Sequence, residues 1–286
     1  MNIGSLLGPK KVPWAKLATL LLVLGYASIC LYLYETQEQK IFRPRSEMLG
    51  TPTQWGMTYA DVHLQVAGER LHGWWLPART DTPTVLFLHG NARNISQLQD
   101  FAGLFSRLEW PVLMIDYRGY GASDGKPSEN GLYADGEAAW HYLTIDQKIP
   151  ATRIILYGHS LGSGVATWLA SRHAAGGVVL EGAFTSIPDR AAEIYPYLPV
   201  RWLSHITFDN RARMRDIHAP LLMIHSREDQ VIPFHHGERL FAAANIPKRL
   251  VDISGHHGHA FVRWPGAHET MRAFGELVMR GGRDSS

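Results

Sequence analysis

Ile154-Ile-Leu-Tyr-Gly-His-Ser-Leu-Gly-Ser-Gly164 joins an apolar run to a helix-forming run through a Gly-x-Ser-x-Gly turn, with Ser160 at the centre of the turn. Gly158 and Gly162 flank the serine at i−2 and i+2, where a sharp strand-to-helix reversal brings backbone too close for a Cβ. Residues 154–157 read as a buried strand and 165–173 as a helix, the setting in which this pentapeptide acts as a nucleophile elbow. A serine hydroxyl is a weak nucleophile at neutral pH. The elbow therefore predicts a histidine to take its proton and a carboxylate to orient that histidine.

A chain of 286 residues suits one α/β domain with a modest extension. Its hydrophobic share of 45% and charged share of 19% fit a folded protein rather than a disordered one. With a formal net charge of +2 and no basic run beyond Lys10-Lys11, nothing points to a nucleic-acid partner. Cys30 is the only cysteine, which excludes an internal disulfide and leaves the redox compartment open.

Lys10, Lys11 and Lys16 precede residues 17–34, an uncharged, leucine-rich run with Tyr26, Tyr32 and Tyr34 toward its far end. The run is long enough to span a bilayer. It exceeds the apolar region of a secretory signal, no small-x-small site closes it, and the bulky Ile29 before Cys30 argues against a lipoprotein signal. The expected organisation is a cytoplasmic segment at 1–16, a transmembrane anchor at 17–34, a linker at 35–58 interrupted by Pro44 and Pro52, and a folded domain at 59–286. The domain is expected outside the cytoplasm, although Lys40, Arg43 and Arg45 nearly balance the lysines before the span.

In the domain, residues 62–66 alternate, Ala67-Gly68-Glu69 turns, and 71–76 returns as the second arm of a hairpin. Strands are then expected at 84–88, 112–116, 154–157, 177–180, 220–224 and 249–253, and helices at 96–108, 132–143, 165–173 and 234–244. Apolar strands alternating with helices call for a mainly parallel, doubly wound sheet covered on both faces. The alternation breaks after Glu181. About residues 183–216 are expected to form a short cap, in which Ile194-Tyr-Pro-Tyr-Leu-Pro-Val-Arg-Trp-Leu203 either lines an acyl pocket or packs on the domain.

Strand 220–224 runs into His225-Ser-Arg-Glu-Asp-Gln-Val-Ile-Pro233. A carboxylate at the carboxyl end of a parallel strand shares the sheet edge with the elbow, where ligands bind in open α/β folds. Asp229 is preferred to Glu228, because residues 230–233 then turn the chain into the next helix and leave Glu228 on the solvated side. Past the last strand, Ser254-Gly-His-His-Gly-His-Ala260 supplies a histidine in the chain order Ser, Asp, His. These residues alone leave His256, His257 and His259 all open. A zinc site made from them, with His235 or His236, is a rival that no helical or strand spacing favours.

The oxyanion hole falls to the Leu161 N–H and to one donor from the loop after strand 84–88, His89-Gly-Asn-Ala92. Gly90 permits close approach, so the Asn91 N–H is the second candidate. Each such donor is worth roughly 3 kcal/mol of transition-state stabilisation. His89 and His159, beside tight turns, are read as residues that hold loops.

Phe87-Leu-His-Gly-Asn91, Asp116-Tyr-Arg-Gly-Tyr-Gly121 with Ser123 and Gly125, Pro127-Ser-Glu129 with Gly131 and Leu132, and Tyr157-Gly-His-Ser-Leu-Gly162 form a recognisable set. Together they resemble the membrane-anchored α/β-hydrolase-domain serine hydrolases grouped near the prolyl oligopeptidase-like and serine aminopeptidase-like proteins. The resemblance covers about residues 55–280. It implies an α/β-hydrolase fold with a short cap, an N-terminal anchor, and hydrolysis of small-molecule or lipid acyl esters, thioesters or amides without cofactor or metal. In that family the catalytic histidine commonly stands in a Gly-x-His-x-Asp setting. Laid on Gly255-His-His-Gly-His259, this implies His257, with His259 where an aspartate is usual. The expected machinery is then Ser160, Asp229 and His257, with Asn91 and Leu161 at the oxyanion. An amide-cleaving peptidase and a non-catalytic binding protein on the same fold are the rival expectations.

Overall fold

The computed structural model describes residues 14–281. The chain opens with α1 (Trp14–Glu35), α2 (Gln37–Ile41) and the short strand β1 (Arg43–Pro44). There follow β2 (Ala60–Val66), β3 (Glu69–Leu76), β4 (Thr84–Leu88), β5 (Ala92–Arg93), α3 (Gln99–Leu108), β6 (Val112–Ile115), α4 (Glu129–His141), β7 (Ile154–His159), α5 (Gly162–Ala170) and β8 (Gly177–Glu181). The cap helices α6 (Ile187–Ile194), α7 (Val200–Leu203) and α8 (Asn210–Arg213) come next. The chain then runs through β9 (Leu221–Ser226), α9 (Phe234–Ala243), β10 (Lys248–Ile253), α10 (Ala260–Arg263) and α11 (Ala267–Gly281).

Strands β4, β7 and β8 are buried at every position, so each must send alternate side chains into two separate cores. Leu86 and Leu88 of β4 face one layer with Leu132, Val165 and Phe208, while Val85 and Phe87 face the other with Phe101, Phe105 and Met271. The resulting sheet has the order β10-β9-β8-β7-β4-β6-β3-β2. β2 pairs antiparallel with β3, and β3 with β6; the other neighbours are parallel. This is the mainly parallel α/β-hydrolase sheet expected from the sequence. Its parallel strands deliver the turns after β4, β7 and β9 to one edge.

Several boundaries move for local reasons. Asn94 accepts from the Ser96 N–H and caps a 3-10 turn at Ile95–Gln97, so α3 starts only at Gln99. Ser128 accepts from the Gly131 N–H and starts α4 at Glu129, ahead of the expected residue 132. α11 lies beyond the elements expected above. It buries Ala267, Thr270, Met271, Phe274, Gly275 and Val278, a spacing of three and four that is legible in the sequence.

The structure adds detail to two expectations. Within residues 35–58, Phe42 is buried in the core and β1 pairs in parallel with β5. The cap carries helices of its own, and Tyr197 and Trp202 on it are 90% and 89% exposed. Residues 1–13 of the expected cytoplasmic segment lie outside the described residues.

Candidate active site

β7 ends at His159 and α5 begins at Gly162, leaving Ser160 and Leu161 to make the reversal. A Cβ on Gly162 would lie 2.0 Å from the Leu88 carbonyl oxygen, and one on Gly158 would lie 2.7 Å from the Gly162 oxygen. Neither position admits a side chain. Ser160 itself takes a φ of 51°, a left-handed conformation that costs a non-glycine residue about 1–2 kcal/mol. Its backbone is held there by a Ser160 N–H bond to the Glu181 carbonyl at 2.8 Å.

The turn after β9 brings Asp229 to the same sheet edge. Its Oδ1 accepts from the Val231 and Ile232 N–H groups, each at 2.8 Å, which bends the chain toward α9. Its Oδ2 lies 2.6 Å from His257 Nδ1, and His257 Nε2 lies 2.9 Å from Ser160 Oγ. Burial pushes the Asp229 carboxyl up, but the hydrogen bond and charge of His257, with the Ile232 N–H, outweigh it and hold the group below the usual carboxylate range.

Of the competing histidines, His256 is exposed. His259 accepts from Arg93 at 2.9 Å through Nε2, with Nδ1 3.4 Å from Asp100. Glu228 is solvated as expected and also accepts the Gly255 N–H at 3.0 Å, which pins the loop carrying His257. The sequence reading missed that contact, since nothing local links the two turns.

The His89-Gly-Asn-Ala92 loop passes beside the nucleophile: a Cβ on Gly90 would stand 3.4 Å from Ser160 Cβ. Among the described residues, the N–H groups of Asn91 and Leu161 have no acceptor, which leaves both free for a ligand oxygen. The Asn91 carbonyl accepts from the Arg43 N–H and the Tyr120 hydroxyl, both at 2.9 Å, and its Nδ2 donates to the Ile41 carbonyl at 3.0 Å. His89 Nδ1 donates to the Gly90 carbonyl at 2.7 Å. Behind it, burial pushes His89 down to about 4 and Asp116 up to about 8, so their 3.6 Å approach joins two neutral groups at neutral pH.

The structure sends His256, His257 and His259 to different surroundings and does not join them as one ligand set. His235 and His236 face Glu193, and these three offer ligand atoms within 4.8 Å of one another. The Thr185 N–H donates to His236 Nδ1 at 3.2 Å, which places the proton of the neutral ring on Nε2, where it meets Glu193 at 3.0 Å. Arg190 also binds that carboxylate at 3.2 Å, and Arg239 lies 3.9 Å from it. A proton on the ligating nitrogen and two guanidinium groups on the carboxylate suit an ion-pair hub joining α6 to α9, not a cation site.

Known proteins share this framework. The family described as the alpha/beta hydrolase fold matches residues 83–210, from the start of β4 into the cap. The chain is 34% identical over 232 residues to Uncharacterized protein Rv2307c of Mycobacterium tuberculosis, covering 80% of this chain and 83% of that protein. It is 37% identical over 198 residues to alpha/beta hydrolase domain-containing protein 17B of Homo sapiens, covering 67% of this chain and 65% of that protein. Among solved structures, the Pyrococcus furiosus esterase Pf2001 matches with a TM-score of 0.69 over 84% of this chain and 97% of its own, at 21% identity, a likeness of fold. The sheet order, the family match from β4 into the cap and the likeness to the esterase structure agree that the chain has the α/β-hydrolase fold.

Proposed function

We propose that this protein is a membrane-anchored serine hydrolase that cleaves acyl esters or thioesters. The observation that carries the reading is the unbroken relay from Ser160 Oγ to His257 Nε2 and from His257 Nδ1 to Asp229 Oδ2. Ser160 attacks the acyl carbonyl while His257 takes its proton, and Asp229 orients the ring and stabilises the imidazolium. The free N–H groups of Asn91 and Leu161 receive the oxyanion, each worth roughly 3 kcal/mol. Collapse of the tetrahedral adduct expels the alcohol or thiol, which leaves with the proton from His257. Water then releases the acyl group by the same steps in reverse roles, so the chemistry needs no cofactor.

α1 is long and apolar enough to cross a membrane, and none of its residues is buried. Retained as an anchor with the amino terminus in the cytoplasm, it holds the site close to lipid or lipidated acyl substrates.

Fluorophosphonate labelling tests the triad. Wild type is expected to label, Ser160→Ala and His257→Ala to lose labelling, and His256→Ala and His259→Ala to keep it. A folded wild type that takes no label overturns the reading in favour of a binding protein on the same fold. Matched ester, thioester and anilide substrates separate the ester reading from a peptidase.

A further inference from the structure

The cap presents apolar surface where a water-facing lobe ordinarily carries charge. Tyr197 and Trp202 are almost fully exposed, and Ile194 is 51% exposed. Between residues 194 and 203 the only charged side chain is Arg201, and it is paired with Asp189. The surface lies against α1 and the start of α2. The Tyr26 hydroxyl donates to the Tyr197 carbonyl at 3.1 Å, Gln37 Nε2 donates to the Leu203 carbonyl at 2.8 Å, and the His205 N–H donates to Gln37 Oε1 at 3.1 Å. The Tyr34 and His205 rings meet edge to face at 5.2 Å.

These contacts set a depth. Tyr26 and Tyr34 are separated along α1 by about 12 Å at 1.5 Å per residue. With Tyr34 at the membrane surface, the Tyr197 turn beside Tyr26 reaches about 12 Å inward, within one leaflet of a core about 30 Å thick. Trp and Tyr are the side chains that favour that boundary, with an apolar ring and one polar atom.

We infer that the cap turn at residues 194–203 is a second membrane contact, inserted beside α1 into the leaflet nearest the catalytic domain. The inference rests on the anchor reading of α1. Lipid is the occupant because the turn is hydrogen-bonded to the helix that the bilayer surrounds. The cap also follows Gly182, where a Cβ would stand 3.0 Å from His257 Cε1, so its insertion brings the triad edge toward the lipid surface. The substrate class this favours is an acyl lipid drawn from the bilayer.

The test uses the full chain with Cys30→Ser and one added cysteine, Tyr197→Cys, Trp202→Cys or, at the opposite sheet edge, Asp146→Cys. Each carries a nitrobenzoxadiazole label in phosphatidylcholine vesicles containing doxyl-labelled acyl chains, and the wild-type chain labelled at Cys30 reports on α1. Labels at 197 and 202 are expected to be quenched several-fold more than the label at 146. Quenching at Cys30 with none at 197 and 202 overturns the cap insertion and leaves the anchor standing. No quenching at Cys30 overturns the anchor reading and the inference with it. Labels at 197 and 202 that are shielded in detergent as well as in vesicles, and untouched by doxyl lipid, place the turn against a second copy or another protein and also overturn it.

Discussion

The Arg43 N–H donates to the Asn91 carbonyl at 2.9 Å, so the residues just past α1 are built into the loop beside Ser160. The Asn91 side chain completes the tie through the Ile41 carbonyl. Positioning of an oxyanion donor is sensitive at the ångström scale. Asn91→Ala keeps the N–H but loses the side-chain tie, and is expected to lower kcat about tenfold with KM within about twofold on a dispersed short-chain ester. Removing residues 1–35 leaves Ile41 and Arg43 in place and should change kcat on that substrate by less than about twofold. Equal losses in the two variants would count against the tie.

Ser160 pays for its position with a φ of 51°. Ser160→Gly relieves the left-handed strain and is expected to raise the unfolding free energy by about 1 kcal/mol, while Ser160→Ala, equally strained, gives no gain. Urea titration of the three proteins reads the difference.

Gly162→Ala forces a methyl group to within 2.0 Å of the Leu88 oxygen, between two buried elements that have no room to part. The expected cost is roughly 3 kcal/mol, at the upper end of overpacking effects. Thermal unfolding that is unchanged from wild type would refute the close packing of α5 on β4.

Asp116 supplies a pH signature. Its folded value of about 8 lies above the unfolded carboxyl value of about 3.9. Below the unfolded value both states hold the proton and nothing changes. Between the two values the unfolded chain ionises first, so this group subtracts stability as pH rises, and the drift stops above about 8. Asp116→Asn keeps the acceptor for the Ile95 N–H, which bonds Oδ1 at 2.9 Å, and cannot ionise beside the neutral His89. Its stability relative to wild type should therefore grow from pH 5 to pH 8 in urea titrations, and a flat difference across that window would count against the shift.

Glu193 joins the cap to α9 through His235 and His236. Glu193→Ala should speed tryptic cleavage within residues 187–203 several-fold while fluorophosphonate labelling stays within about twofold, because the hub holds the cap and not the triad. Cleavage at the wild-type rate would mean that the cap is fixed by other contacts.

Local pattern determined much of this protein. The Gly-x-Ser-x-Gly spacing between an apolar strand and a helix, the alternation of apolar strands with helices, the break after Glu181 and the apolar run at 17–34 are each readable because nearby side chains constrain nearby backbone. The α11 periodicity is equally local. The residues by themselves leave three histidines open and the resemblance implies His257; that His257 meets Ser160 is a tertiary matter, since the two lie 97 positions apart and their distance depends on how two loops leave separate strands. Tertiary structure also decided that Glu228 holds the His257 loop, that Phe42 and Arg43 belong to the domain, and that Tyr197 faces outward beside α1. Pro44 and Pro52 report only that a helix stops. A hydrogen bond between Asn91 and Ile41, or between Tyr26 and Tyr197, exists only once sheet, cap and helix are packed, because no local preference encodes a partner so distant in the chain.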